Sequence, residues 1–314
     1  MRRKQAMEVL EMDGKTVVEL FFEDKKSLNL SEQTLSTYRL HLDYFLEAYG
    51  KYFDSKHFNA NMWKELLLTL SEDENKTEQT VLSYCRTIRA FFYWCQDHDY
   101  SPVCQLKLPK ASERIKEIYT DNELVKLLER PSKDCSEVTY QTYVFISFIM
   151  STGLRLSSAL SLLVSDFIKK ENLIYIQQTK KRQGFRLRLS DEMTALLSEY
   201  IRLFDLENDN HLFCVADGSQ MAKRTMQDNV ATYNKKRGVD KTSIHLFRHT
   251  YAVKYYQATH DVYALMLQLQ HSNIATTQRY LRSLSVDIVD NSEKFNPLVQ
   301  YSKTTQKKKR RGKM

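Results

Sequence analysis

A histidine and a tyrosine stand nine residues apart in the stretch His271-Ser-Asn-Ile-Ala-Thr-Thr-Gln-Arg-Tyr280, with short polar residues between them. A tyrosine hydroxyl attacks a phosphodiester only where cations and hydrogen-bond donors spread the charge of the pentacovalent phosphate. Such chemistry requires basic partners elsewhere in the chain. Three clusters offer them: Arg155 in Thr152-Gly-Leu-Arg155, the run Lys180-Lys-Arg182, and His245 with Arg248 in His245-Leu-Phe-Arg248. On a helix, residues three apart share a face, so His245 and Arg248 reach the same anion. His245 and His249 also have the i, i+4 spacing of a zinc pair. Leu246, however, stands where a metalloprotease carries its general-base Glu, so no metal site is expected.

A chain of 314 residues with 42% hydrophobic content is long enough for two domains, each with its own core. Only 7 Gly and 4 Pro argue against a loop-rich β architecture, and abundant Leu, Lys, Glu and Gln favour helix; the expected class is mainly α. A formal charge of +8 suggests a polyanionic partner. Seven Lys or Arg and no acid lie between Lys303 and Met314, however, which leaves +1 for the rest. Affinity for phosphate must then come from local clusters and this basic tail. Five cysteines with no Cys-x-x-Cys spacing indicate neither a disulfide framework nor a zinc site. Met-Arg-Arg-Lys at the start is followed by no apolar core, and the longest apolar runs, such as Tyr143 to Met150, fall far short of a ~20-residue span. A soluble, cytoplasmic protein with no membrane partner is expected.

Positioning the basic and nucleophilic residues falls to helices. Apolar residues recur at three- and four-residue spacing from Thr16, with Ser31 as a cap and Gly50 as a stop for the second helix. A third covers Ala60 to Leu70, and a fourth runs from about Lys76 through Val81, Tyr84, Ile88, Phe91, Phe92 and Trp94. That aromatic stripe reads as core, because it keeps helical spacing. Periodicity lapses around Pro102 and Pro109, in a basic linker. Thr120-Asp-Asn-Glu123 is a capping box, and a buried helix follows from about Val138 to Ser151. Gly153 stops it in a left-handed cap and puts Arg155 at the turn into a short helix. Leu173 to Ile176 and Phe185 to Leu189 read as two strands joined by a basic turn. Helices are then expected at about 191–204, 221–237, 245–258, 262–269 and 276–281, with a further apolar set at Leu284, Val286, Ile288 and Val289.

In this order, Thr-Gly-Leu-Arg, a Lys in a strand turn, His-Leu-Phe-Arg-His-Thr-Tyr-Ala and Leu-Gln-His-Ser-Asn-Ile-x-Thr-Thr-x-x-Tyr, the motifs resemble the tyrosine recombinase, or phage integrase, family over nearly the whole chain. The resemblance implies a two-domain architecture. A helical core-binding domain would span 11–100, a linker 101–117, a mixed α/β catalytic domain 118–295 and a basic tail 296–314. It also implies a site-specific recombinase that clasps double-stranded DNA in a C-shaped clamp, is a monomer or dimer when free, and exchanges strands as a homo-tetramer on paired sites. By position, Tyr280 would be the nucleophile that forms a 3′-phosphotyrosyl bond and releases a 5′-hydroxyl. Arg155 and Arg248 would hold the non-bridging oxygens, His271 would add a hydrogen bond, and His245 would manage the tyrosine proton. Lys180 is the first choice for the general acid, with Lys181 in competition. The covalent intermediate keeps the energy of the broken bond, so neither a cofactor nor a metal is required. The C-terminal element, here Leu281 to Val289, would be exchanged between subunits.

Three positions depart from the family's pattern. Ser158 stands where an acidic residue is common, Gln270 where Gly precedes the histidine, and Arg188 where a Pro follows the lysine in the strand. These leave room for a second reading, a DNA-binding regulator on the same scaffold that recognises its site without cutting it.

Overall fold

The computed structural model describes residues 13–49, 60–112, 117–177, 184–271 and 273–281. The chain divides into two compact units, Met1–Arg114 and Ile115–Met314.

In the first unit, α1 (Gly14–Ser27), α2 (Glu32–Tyr49), α3 (Ala60–Glu72) and α4 (Glu78–Asp97) enclose one core. Side-chain caps start three of them. Asp13 accepts from the Lys15 and Thr16 amides, Ser31 from Thr34 and Thr77 from Thr80. The aromatic stripe of α4 lies in the core, where Phe91 and Phe92 are fully buried and meet Phe21 and Phe45 edge-on. Each such ring contributes about 1.5–3 kcal/mol by burial. The segment read as a linker is non-helical, and its described residues 101–112 lie on these helices. Leu106 is buried, Trp63 Nε1 donates to the Lys107 carbonyl at 2.9 Å, and the Ser112 amide donates to Glu78 at 2.7 Å. Gly50, expected to end α2, lies outside the described residues. No helix among the described residues is long and apolar enough to cross a membrane.

One polar group sits inside this unit. His41 is 5% exposed, its Nδ1 lies 2.8 Å from Thr87 Oγ1, and its ring stacks on Tyr84. Burial lowers its pKa below the usual 6.5. The unfolded chain therefore binds the proton more readily, so the stability His41 confers is complete above that usual value and is lost as pH falls from it through the lowered folded value. A thermal midpoint that drops between pH 7 and pH 5, and drops less in His41→Gln, is the expected result in a melting series.

The second unit begins with α5 (Asp121–Leu128), which Thr120 and Glu123 open with both hydrogen bonds of a capping box. It continues through α6 (Glu137–Thr152), α7 (Leu156–Leu160), strands β1 (Phe167–Ile168), β2 (Leu173–Ile176) and β3 (Phe185–Arg188), and helix α8 (Asp191–Leu203). Helices α9 (Lys223–Lys236), α10 (Ile244–Thr259), α11 (Val262–Gln268) and α12 (Ile274–Leu281) complete it. Being apolar nearly all round, α6 is the central helix, with α5, α8, α9 and α10 around it. The antiparallel sheet has three strands in the order β1-β2-β3, with Ile174 opposite Leu187 on the buried face. Only two strands were legible beforehand; β1, at two residues, is too short to show an alternation. Leu189 falls just past β3, α9 starts two residues later than expected, and α12 starts at Ile274. The apolar set Leu284 to Val289 and the basic tail lie outside the described residues.

Tyr119 locks the entrance of this unit under α10. Its amide donates to Thr250 Oγ1 at 3.0 Å, its hydroxyl donates to the Lys241 carbonyl at 3.1 Å, and its ring stacks on Phe247 at 4.3 Å.

Candidate active site

Four helix ends build the site. The first is the end of α6, where Gly153 takes φ 65°. A Cβ at that position would stand 2.3 Å from Cδ1 of Tyr251, so both the left-handed backbone and the packing of α10 exclude a side chain. The sharp exit makes Arg155 the N-cap residue of α7 and aims its side chain at α11, with Nη1 donating to the Leu269 carbonyl at 3.4 Å. Ser158, on the same short helix, is buried.

The second is the start of α10. His245 is exposed there, Arg248 is 2% exposed, and His249 follows one turn after His245. Arg248 ties three pieces of chain together. Its Nη1 donates to the Gly153 carbonyl at 2.5 Å, and its Nη2 donates to the Leu269 carbonyl at 2.7 Å and to His271 Nε2 at 2.9 Å. Its Nε is buried and meets no acceptor among the described residues. Burial, and next the charge of Arg155, push its pKa down to about 10. Tyr280, by its charge and a side-chain hydrogen bond, and Tyr251 act in the opposite direction. A buried cation with an unused donor beside a second guanidinium is a site for an anion.

The third is the end of α11. Asp261 caps its start by accepting from the Tyr263 and Ala264 amides. Gln270 leaves it at φ 53°, a conformation that suits glycine, and this turn presents the Leu269 carbonyl to Arg248 and carries His271 underneath. The fourth is α12. Asn273 accepts from the Ala275 amide at 2.8 Å at its start, and Thr277 and Tyr280 lie on one face three residues apart. His271 Nδ1 lies 2.9 Å from Thr277 Oγ1.

Tyr280 is half-buried among three histidines. Its ring lies 5.5 Å from that of His271, 4.9 Å from His249 and 6.1 Å from His245, and its hydroxyl is 3.4 Å from His245 Nε2. Ala252, Leu265 and Leu269 pack against it from α10 and α11. Beside it opens a cleft of about 640 Å³ whose walls include Arg155, His245, Arg248, Lys223, Arg224 and Asp228. The one acid there is paired with Arg224 at 3.0 Å, so the cleft is cationic overall.

Of the six residues singled out from the sequence, five meet here: Arg155, His245, Arg248, His271 and Tyr280. Lys180 does not enter the comparison. It and Lys181 lie in 178–183, outside the described residues, between strands whose paired ends are Ile176 and Phe185. Four contributors were missed. His249 was weighed only as a metal ligand, although its i, i+4 relation to His245 already put it on this face. Thr277 has the i, i+3 relation to Tyr280. Lys223 and Arg224 open α9 and reach the cleft through tertiary packing that no sequence spacing reveals.

The family model described as the phage integrase family matches residues 117–285. Tyrosine recombinase XerC of Leptospira interrogans is 24% identical over 277 residues, which cover 86% of this chain and 89% of that protein. Among solved structures, the XerH recombinase in a post-cleavage complex with a palindromic difH substrate superposes with a TM-score of 0.69 at 22% identity, over 89% of this chain and 85% of that one. A lambda integrase tetramer bound to a Holliday junction gives 0.67 at 13% identity, over 86% and 77%. At these identities the structural likenesses establish the fold, a mainly helical chain with a small sheet.

Proposed function

The chain belongs to the phage integrase family, and from that premise we propose that it is a site-specific DNA recombinase that cuts and rejoins strands through a 3′-phosphotyrosyl intermediate. The observation that carries this reading is the gathering of His245 and His271 around Tyr280, with Arg248 bonded to His271 and with Arg155, His245 and Arg248 lining a cationic cleft. His245 Nε2 accepts the Tyr280 proton as the phenolic oxygen attacks phosphorus. Arg155 and Arg248 hold the non-bridging oxygens, and the unused Nε–H of Arg248 is a ready donor for one of them. The P–O5′ bond breaks, and the leaving oxygen takes a proton from Lys180 or Lys181. Attack by a 5′-hydroxyl of a second strand on the phosphotyrosine reverses the steps and frees Tyr280. No bond energy is lost, so no cofactor and no metal enter the scheme.

The helical first unit serves as the core-binding domain. Double-stranded DNA is the partner, with four copies assembled on paired sites in the cytoplasm; a family member in tetrameric form on a four-way junction supports that assembly. A nicked suicide substrate tests the reading. A protein–DNA adduct that survives denaturing electrophoresis is expected, and site-specific binding without an adduct would make the chain a regulator on this scaffold. The same substrate with sulfur at the 5′-bridging position separates the two lysines. Loss of the general acid is rescued by the better leaving group, so rescue of Lys180→Ala and not of Lys181→Ala is expected.

A further inference from the structure

The hydrogen bonds around His271 fix more than its position. An arginine nitrogen can only donate, so the 2.9 Å contact from Arg248 Nη2 requires a lone pair on His271 Nε2. The ring proton of the neutral imidazole is then on Nδ1, and Nδ1 donates to Thr277 Oγ1 at 2.9 Å. Thr277 is fully buried, so no water competes for that proton. If the proton moved to Nε2, it would oppose the Nη2–H of Arg248, and the guanidinium would turn away from the Gly153 and Leu269 carbonyls that hold it.

Thr277 also lies on α12, one turn before Tyr280, with the Tyr280 ring stacked on His271 at 14° between planes. The same helix therefore carries the nucleophile and the hydroxyl that accepts the Nδ1 proton of His271. We infer that Thr277 is a positioning residue: by accepting the Nδ1 proton it supports, together with Arg248 at Nε2, the Nδ1–H form of His271 and so makes the seating of the nucleophile's helix a condition for a correctly turned Arg248. An undocked α12 would remove Tyr280 and disarm the phosphate clamp together, and a phosphodiester would not be activated toward water while its nucleophile is away. The inference rests on the proposed recombinase chemistry for its consequence, and on the hydrogen bonds alone for its geometry.

The test compares Thr277→Val, which keeps the shape and deletes the hydroxyl, with Thr277→Ser, which keeps the hydroxyl. In ¹⁵N-histidine-labelled, DNA-free protein, long-range proton–nitrogen correlations distinguish the two ring nitrogens. His271, identified from its loss in His271→Asn, is expected as the Nδ1–H form in the unsubstituted and serine proteins and not in the valine protein. Single-turnover cleavage of the suicide substrate is expected to fall about 10- to 100-fold in Thr277→Val and to return to within about threefold in Thr277→Ser, with DNA affinity unchanged in both. Should the valine protein fail to bind DNA, Thr277→Cys, whose sulfur is a weak acceptor, takes its place with the same expectation. An Nε2–H form in the unsubstituted protein, an unchanged tautomer in the valine variant, or equal impairment of valine and serine variants would overturn the inference. Absence of any adduct from the unsubstituted protein sinks the proposed function instead, and the tautomer measurement still decides the role of Thr277.

Discussion

Tyr280→Phe is expected to leave no detectable covalent adduct on a suicide substrate while affinity for the same DNA stays within about twofold, since affinity is dominated by contacts to many phosphates. The ring makes the packing contacts, with His271, His249, Ala252, Leu265 and Leu269. Phenylalanine keeps all of them and gives up the hydroxyl's contact with His245 Nε2, so the thermal midpoint should fall only slightly. Only the oxygen that would bond to phosphorus is removed. An adduct that persists in this variant reassigns the nucleophile, and a collapse of DNA binding would mean that the hydroxyl supports the fold.

Arg248→Ala is expected to be nearly as damaging to cleavage, but by a different route. Removing one preorganised cation from a transition state costs on the order of 10²–10³ in rate. The substitution also strips the Gly153 carbonyl and His271 Nε2 of the donor that Arg248 gives them, and leaves the Leu269 carbonyl only the longer bond from Arg155. Each buried acceptor left unpaired costs about 1–3 kcal/mol. A clearly lowered melting temperature should therefore accompany the lost activity, in contrast to Tyr280→Phe. Arg248→Lys keeps a charge but presents no planar fork that can serve three acceptors at once, so it should recover little of either. Full cleavage by Arg248→Ala at an unchanged melting temperature would remove Arg248 from the mechanism.

Much of this was legible in the sequence, because the signals were local. Thr120 and Glu123 announce a helix start by reciprocal hydrogen bonds, and Gly153 announces a stop by its left-handed backbone. The spacing of His245 and Arg248 needs only one turn of helix to put them together. Other features depend on distant chain. Strand β1 exists because Phe167 and Ile168 pair with Ile174 and Leu173, and two residues cannot advertise that. The approach of Lys223 and Arg224 to Arg155 depends on how α9 packs on α6 and α7. The hydrogen bond of Thr277 depends on the turn at Gln270, a residue whose type gives no hint of a φ of 53°.

The triple tether made by Arg248 bears on what this lineage can lose. A chain that drifted from cutting DNA to merely occupying it would still need that guanidinium, because the ends of α6 and α11 are fastened by it. The arginine is thus shielded by its architectural duty and is a poor witness to enzymatic activity. The ring of Tyr280 is held by packing that a phenylalanine would satisfy, whereas its oxygen meets His245 Nε2 at 3.4 Å. Removal of that oxygen, and not of the guanidinium, is therefore the change that would separate cutting from occupation.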